Sequence, residues 1–142
     1  KVLENLQAIA TVSVPGTLRE KLEAIASAGF DGVEIFEPDL VASAWSPSEI
    51  GKRCADLGLG IDLYQPFRDF DSTDPQRLAA NHRRAARKFA VMRELGTDLV
   101  LVCSSVAPDA VADVDRLAEQ LHGLADLAAD HGVRLCFEAL AW

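Results

Sequence analysis

Residues 28–37 read AGFDGVEIFE, a segment in which a glycine follows an apolar helical stretch and leads directly into a hydrophobic strand with a polar end. The same pattern returns at residues 57–65, 95–105 and 131–138. A glycine after a helix supplies the left-handed backbone conformation that ends it. The repeat predicts parallel strands joined by crossover helices, a fold that places its chemistry at the C-terminal ends of the strands.

Local signals mark where several elements begin. Capping boxes at Thr17–Glu20 and Ser46–Glu49 predict two helix starts, because in each the hydroxyl and the carboxylate satisfy free backbone amides. A third helix is predicted to start after Asp74 and Pro75 and to run to Leu95. A fourth is predicted from about Pro108 and Asp109, with apolar residues facing inward: Val114, Leu117, Leu121, Leu124 and Ala128. The first strand is predicted over Gln7–Val14, and Pro38–Trp45 is predicted to be a loop.

The end of the chain separates two α/β architectures. A five-stranded doubly wound domain covers its last strand with a helix, whereas here the sequence ends four residues after Glu138. A (β/α)8 TIM barrel needs about 250 residues. At about 30 to 35 residues for each βα unit, the chain holds about four and a half units of such a barrel. We therefore expect residues 1–142 to be the N-terminal half of a single TIM-barrel domain.

Composition excludes several classes of protein. The 142 residues are 49% hydrophobic, enough for one core, and no linker divides them. A net charge of -8 argues against nucleic acid, and we interpret the basic residues of the third helix as a solvated face: Arg77, Arg83, Arg84, Arg87 and Lys88. No apolar run could span a membrane, and no signal peptide is recognisable. The spacing of the three cysteines fits neither a metal site nor a disulfide framework. This indicates a reducing compartment and therefore predicts a cytoplasmic protein.

Alternation along the strands places two carboxylates inside the predicted barrel. If Val33 and Ile35 face the helices, Glu34 points inward, and the same reasoning directs Glu138 inward. An inward carboxylate near the end of an apolar strand has a large desolvation cost unless a cation or a donor compensates it. Glu138 is therefore the strongest candidate for a metal or catalytic role. A structural ion pair with an interior Arg or Lys remains the alternative.

The loop after the third strand is the other polar concentration. Tyr64, Gln65 and Arg68 lie together in YQPFRDF, residues 64–70. The planar guanidinium of Arg68 matches a carboxylate, which favours an anionic small-molecule substrate. An ion pair of Arg68 with Asp69 or with a Glu is the alternative. Glu37 is as compatible with a solvated loop position as with a ligand contact.

Other reactive residue types give weaker signals. Cys103, Ser104 and Ser105 end the fourth strand, but no nucleophile elbow surrounds them. The three histidines fall on predicted helices or at a helix end and are expected outside the barrel: His82, His122 and His131. Trp45 and Trp142 are close to predicted loops at the mouth of the barrel, where either could form the wall of a pocket.

Five segments together carry a resemblance to a known family: residues 10–13, 29–37, 63–70, 101–105 and 137–142. They resemble the xylose-isomerase-like TIM-barrel proteins. More narrowly, they are similar to bacterial 3-dehydroshikimate dehydratases, some of which carry a C-terminal 4-hydroxyphenylpyruvate-dioxygenase-like domain. The GFDGVE segment is widely shared in the superfamily, whereas QPFRDF and EALAW are much more specific.

The resemblance implies a metal-dependent lyase that converts 3-dehydroshikimate to protocatechuate in aromatic catabolism. It makes Glu138 the first of several ligands of a divalent metal such as Mg, Mn or Co. Arg68, Gln65, Glu34 and Tyr64 are the expected substrate-binding residues. The remaining ligands and the acid–base histidine are expected from later strands, so that residues 1–142 alone are expected to be inactive.

Three alternatives stay open. A sugar or hydroxy-acid isomerase or epimerase on the same barrel would use a similar metal, but only the dehydratase forms an aromatic product. A DNA-repair endonuclease of the superfamily is disfavoured by the negative charge. A non-catalytic half-barrel would use its open strand edge for assembly, either as a homo-oligomer or with a complementing second half.

Overall fold

A computed structural model of the chain describes residues 6–140. Its elements follow in the order β1 (Ala8–Ala10), a 3-10 turn (Thr11–Ser13), α1 (Leu18–Ser27), β2 (Gly32–Phe36), α2 (Glu37–Ala42), α3 (Pro47–Asp56), β3 (Gly60–Phe67), α4 (Pro75–Leu95), β4 (Leu99–Cys103), α5 (Val114–Asp130) and β5 (Arg134–Glu138). The strands form one five-stranded sheet in chain order. The pairs β1–β2, β2–β3 and β4–β5 are parallel. The predicted parallel α/β sheet is therefore confirmed.

The glycine of each repeat has the backbone conformation that the sequence pattern predicts. The φ angles are positive, at 85°, 74°, 86° and 69°, for Gly29, Gly58, Gly96 and Gly132 respectively. Each follows the last turn of a helix, and the next strand begins within a few residues. These glycines let the chain reverse direction and enter the sheet without the steric cost that a Cβ carries in this conformation.

The described residues fall into two compact units. The first comprises the chain up to Gln65 together with Met92–Thr97. Its largest buried side chains come from α1, β2, α3 and the neighbouring strands and helix: Leu22, Ile25, Val33, Ile35, Ile50, Tyr64 and Met92. Gly51 lies so close to the end of α4 that a Cβ would approach the Leu95 carbonyl oxygen to 2.6 Å. That position of α3 therefore requires glycine.

Both predicted capping boxes are present in the first unit. The Thr17 hydroxyl accepts from the Glu20 amide, and the Glu20 carboxylate accepts from the Thr17 amide. Ser46 and Glu49 make the same reciprocal bonds. These bonds lower the pKa of both glutamates below the ordinary carboxyl value. α1 and α3 consequently begin where the sequence predicts.

The second unit comprises Pro66–Val91 and the residues from Asp98 onward. Its core is aromatic and aliphatic, and its most buried side chains are Phe67, Phe70, Phe89, Val100, Val102, Leu124 and Ala128. Phe70 packs edge-to-face on Phe137, with 6.0 Å between the ring centroids. The register aligns Cys103 at the end of β4 with Glu138 at the end of β5.

Three sequence predictions about boundaries are wrong. The first strand stops at Ala10 instead of Val14, because the buried Thr11 hydroxyl accepts from the Phe36 amide and the backbone turns into a 3-10 helix. The predicted loop Pro38–Trp45 contains most of α2. Helix α5 begins at Val114, where the Asp113 side chain caps the Arg116 amide. Val114 itself is exposed instead of facing inward.

Within the described residues, no helix is both long enough and apolar enough to cross a membrane. The prediction of a single domain over residues 1–142 stays a prediction. Trp142, which the sequence places near a pocket, lies outside the described residues.

Candidate functional site

Two predicted site residues of the first unit bind each other. The Gln65 side-chain amide donates to Glu34 Oε2 at 2.7 Å. Val33 and Ile35 are fully buried, while the intervening Glu34 is half-buried, as the predicted alternation requires. A register shift between Val33 and Glu34 places Gln65 beside Phe36 at the end of the strand pair. Glu34 therefore fixes which way the Gln65 amide points.

Tyr64 and Glu37 form a second polar pair in the first unit. The Tyr64 hydroxyl donates to Glu37 Oε2 at 2.9 Å, and the tyrosine is almost completely buried. Burial raises the pKa of Tyr64 strongly, and the neighbouring Glu37 carboxylate raises it further. The hydroxyl thus remains protonated and keeps its donated hydrogen bond to Glu37. Glu37, for which the sequence left two interpretations open, is the first residue of α2 and the acceptor of this bond.

Arg68, Cys103 and Glu138 form the polar centre of the second unit. The buried Cys103 thiol donates to Glu138 Oε2 at 3.8 Å. Burial raises the pKa of this thiol, the Arg68 charge lowers it, and Glu138 raises it. The carboxylate therefore contacts the thiol at the C-terminal ends of β4 and β5, and the Arg68 charge acts on the same thiol. Such an arrangement of opposite charges can bind a polar anionic molecule and a cation.

Glu138 is more exposed than the sequence predicts. The residue belongs to the exposed class, so the large desolvation cost expected for an inward carboxylate does not apply to it in this structure. Phe137 packs on Phe70, which leaves Cys136 and Glu138 on the other face of β5. The predicted alternation of β5 is thus present, whereas the predicted burial is not.

Ser104 fixes the backbone around Glu138. The Ser104 amide and hydroxyl both donate to the Glu138 carbonyl oxygen, at 3.1 and 3.2 Å. The same hydroxyl accepts from the Leu140 amide at 2.8 Å. Ser105 donates to a carboxylate oxygen of the buried Asp71. These contacts give the serines after β4 a positioning role that the sequence, which suggested only a nucleophile, does not reveal.

The structure corrects the interpretation of the basic helix. Arg83 and Arg87 are exposed, as predicted, but Arg84 is half-buried and Lys88 is only 6% exposed. Arg84 donates to the carbonyl oxygens of Arg68 and Asp69. The sequence contains a usable signal, because Arg84 and Lys88 are four residues apart and therefore share one face of α4.

The histidines lie where the sequence places them. His82 is in α4, His122 is in α5, and His131 follows α5 directly. His82 is half-buried, whereas the other two are exposed. None of them is among the residues around Glu138 that carry the contacts described above.

A cavity of about 600 Å³ opens in the first unit between the start of α1 and the segment after α2. Trp45 contributes to its wall, as the sequence suggests, and Arg53 stacks on the indole at 4.2 Å. None of the five predicted substrate and metal residues lines this cavity. It is therefore separate from the predicted site residues.

Glu138 is a suitable ligand for a divalent cation, because an exposed carboxylate is the donor type that hard cations prefer. Within residues 6–140, however, no group of three or more His, Cys, Asp or Glu side chains could hold a metal ion. The described residues therefore fit one position of a metal site and not a complete set of ligands.

Comparison with known proteins gives a consistent result. The chain is 60% identical to a 3-dehydroshikimate dehydratase of Pseudomonas aeruginosa over 96% of its own length, but it spans only 22% of that protein. A solved xylose isomerase-like TIM barrel/4-hydroxyphenylpyruvate dioxygenase fusion protein is 57% identical, with a TM-score of 0.92, over 96% of this chain and 22% of that one.

A more distant structure has the same fold. The crystal structure of IOLI protein with a binding zinc atom is 16% identical, with a TM-score of 0.80, and the match covers 95% of this chain and 51% of that one. The predicted fold class, a TIM barrel represented by its N-terminal half, is confirmed by these matches. The family model of the xylose isomerase-like TIM barrel matches residues 22–142. The chain therefore belongs to the xylose isomerase-like TIM barrel family.

Proposed function

We propose that this chain is part of a metal-dependent dehydratase that removes water from 3-dehydroshikimate to form protocatechuate. The observation that carries the proposal is that two exposed charged residues lie at strand ends, Arg68 directly after β3 and Glu138 as the last residue of β5, where it contacts Cys103. They offer a cation for an anionic substrate and a carboxylate for a metal. The dehydratase with 60% identity supports the choice of substrate. A chain with a net charge of -8 needs such a local cation to attract an anion.

Arg68 is proposed to bind the ring carboxylate of the substrate. Its side chain is exposed at the end of β3, and a guanidinium can donate two parallel hydrogen bonds to a carboxylate. A lysine at this position would keep the charge but lose the planar fork. Arg68 is thus proposed to fix the carboxylate end of the substrate.

Gln65, Glu34 and Tyr64 are proposed as further substrate-binding residues. Because Glu34 accepts from the Gln65 nitrogen, the amide oxygen of Gln65 is directed away from Glu34 and can accept from a substrate hydroxyl. The second amide hydrogen can donate to a carbonyl oxygen. Tyr64 supports Glu37 and remains neutral, so it adds no charge that would repel an anion.

Glu138 is proposed to contribute one ligand to a divalent metal, with Mg, Mn and Co as the expected ions. When bound, such an ion stabilises the negative charge that develops on the substrate carbonyl oxygen as a proton leaves the adjacent carbon. The bound zinc of the IOLI protein supports a metal in this fold. Ser104 and Cys103 orient Glu138 through its carbonyl and its carboxylate.

The overall reaction breaks two C–H bonds and one C–OH bond of the substrate. One proton leaves with the hydroxyl as water, and the other is taken up at the carbonyl oxygen, which becomes a phenol hydroxyl. The electron pairs of the two C–H bonds remain in the ring and complete its three double bonds as the hydroxyl leaves and the carbonyl becomes a phenol. The proton transfers need an acid–base group, and we expect it, like the remaining metal ligands, outside residues 1–142. We also propose a cytoplasmic location, an anionic small-molecule substrate, and activity that requires the other strands of the barrel, within one protein or by association.

The experiment compares variants of the full-length protein. Arg68→Lys should raise KM for 3-dehydroshikimate about tenfold with little change in kcat, because the lost hydrogen bonds serve binding. Glu138→Gln should lower the affinity for the activating metal about tenfold or more, measured by titration of the metal-free protein. Arg87→Ala, which changes an exposed cation of the same unit, is the matched control.

Two results would count against these roles. Unchanged kinetics in Arg68→Lys would exclude a forked contact with the substrate. Wild-type metal affinity in Glu138→Gln would exclude Glu138 from the metal ligands. Conversion of a sugar or hydroxy acid to an isomer, with no aromatic product, would favour the isomerase or epimerase alternative.

A further inference from the structure

Three side chains on one face of α4 bind the backbone that carries Arg68. Lys88 Nζ donates to the Pro66 carbonyl at 2.9 Å. Arg84 Nη2 donates to the Arg68 and Asp69 carbonyls, both at 2.7 Å. Asn81 Nδ2 lies 3.3 and 3.4 Å from the next two carbonyl oxygens, those of Phe70 and Asp71. We refer to Asn81, Arg84 and Lys88 as the α4 donor row.

Of the two cations of this row, Lys88 is buried and Arg84 is half-buried. Lys88 is 6% exposed, and its ammonium lies 5.6 Å from the centroid of the Phe67 ring. The Arg84 guanidinium lies 4.5 Å from the same centroid. Removing positive charge from solvent beside an aromatic ring is costly, fully for Lys88 and in part for Arg84, unless carbonyl oxygens and the ring face compensate it. Two apolar side chains would pack here at a smaller free-energy cost. This indicates that the two cations hold the backbone of the loop in one conformation.

The loop is also fixed from its other side. Asp69 has a φ of 52°, a conformation that residues other than glycine rarely adopt. Its carboxylate accepts from the Val106 and Ala107 amides, at 3.0 and 3.2 Å. Asp69 lies directly after Arg68, and Arg84 binds the carbonyl oxygens of both residues, which belong to consecutive peptide bonds. Small displacements here would change the direction in which Arg68 leaves the backbone.

We propose that Arg84 is a positioning residue that fixes the backbone at Arg68 and Asp69, and that Asn81 and Lys88 extend this role along the loop. The inference rests on the proposed function insofar as Arg68 binds the substrate carboxylate. A single guanidinium nitrogen reaches both carbonyls, and its planar geometry keeps the charge over Phe67. Arg84 does not touch the substrate and acts through Arg68.

The kinetic test uses the full-length protein and 3-dehydroshikimate. Arg84→Ala should raise KM about tenfold and leave kcat within about twofold, because binding geometry is lost and not chemistry. Arg83→Ala, the adjacent exposed arginine of the same helix, should behave as wild type. Arg68→Ala combined with Arg84→Ala should have the KM of Arg68→Ala alone, since the two residues act through one contact. Multiplicative effects on KM, or a wild-type KM in Arg84→Ala, would overturn the proposal.

Hydrogen exchange provides a readout that does not depend on the substrate. The Val106 and Ala107 amides should exchange about tenfold faster in Arg84→Ala than in Arg83→Ala, because their acceptor on Asp69 is released. Unchanged exchange would overturn the positioning role even if KM rises. If the wild-type protein has no dehydratase activity but Arg84→Ala still exchanges these amides faster, the proposed function is refuted. The positioning of the loop by Arg84 would then still stand.

If Arg84→Ala does not fold, Arg84→Lys serves as the second variant. A lysine keeps the charge but cannot reproduce the guanidinium geometry, so KM and the exchange rates should lie between wild type and the values expected for Arg84→Ala. A wild-type KM together with wild-type exchange in Arg84→Lys would contradict a specific need for arginine.

Discussion

At the scale of single residues, buried polar side chains bind the backbone near the C-terminal ends of the strands. Thr11, fully buried, accepts from the Phe36 amide at the end of β2. Asp71, also buried, accepts from the Val111 amide at 2.7 Å. Lys88 donates to Pro66 near the end of β3. Because an unpaired polar group in the interior is costly, each of these residues favours one loop conformation over others.

The ion pair of Lys21 and Asp39 is the clearest stability test at this scale. The two side chains approach to 2.9 Å and are mostly buried, linking α1 to α2. Lys21→Met should lower the free energy of unfolding by about 3 kcal/mol, because Asp39 keeps a buried charge without its cation. The double variant Lys21→Met with Asp39→Leu should recover most of this loss. Denaturant unfolding measures both, and equal losses in the two variants would contradict the explanation.

At the scale of elements, a glycine in the left-handed conformation and a glycine inside a helix are expected to respond in opposite ways to substitution by alanine. Gly29 has a φ of 85°, whereas Gly123 lies within α5. Gly29→Ala should destabilise the protein by about 1 kcal/mol, because a Cβ is strained in this conformation even with open space around it. Gly123→Ala should stabilise it by about 0.5 to 1 kcal/mol, since the new Cβ would meet only His82 at 3.9 Å. Thermal unfolding of the two variants checks the opposite signs, and two shifts of the same sign would contradict the account.

The same elements show how far local sequence signals reach. The glycines and both capping boxes define α1, α3 and the strands after them, because these signals act through neighbouring residues. Where the structure has helix α2, the sequence analysis predicts a loop, although Pro38 in the first turn and the acidic Glu37 and Asp39 are typical of a helix start.

Long-range contacts account for the other errors. The early end of β1 depends on Thr11 meeting Phe36, which is 25 residues away in the sequence. The segment before α5 stays non-helical where the Thr73 amide donates to the Asp109 carbonyl and Ser72 donates to the Asp109 carboxylate. The α4 donor row likewise depends on where the Arg68 loop passes. No pattern within a short window contains such information.

For the site residues, the alternation of side chains along a strand predicts the face on which each residue lies, but not the residues that it contacts. Alternation correctly separated Glu34 from Val33 and Ile35, and Glu138 from Phe137. Pairing partners could not be predicted in this way, because Gln65 reaches Glu34 through a register shift in the sheet. The predicted roles of Glu138, Arg68, Gln65, Glu34 and Tyr64 stay predictions.

At the scale of the whole molecule, the chain corresponds to only a part of its relatives. The chain spans about a fifth of the P. aeruginosa dehydratase and about half of the IOLI protein. Its described part contributes one suitable carboxylate ligand and one exposed guanidinium at the strand ends of the second unit. Catalysis by a metal with several ligands therefore requires residues beyond those described.

The most direct measurement is the product that the full-length protein forms from 3-dehydroshikimate, analysed by mass and NMR before and after chelation and after divalent metal is restored. The account predicts loss of one water, an aromatic product, activity that disappears on chelation and returns with metal, and strongly impaired turnover in Glu138→Gln. Failure to consume 3-dehydroshikimate, or formation of a non-aromatic isomer of unchanged mass, would contradict the proposed dehydratase.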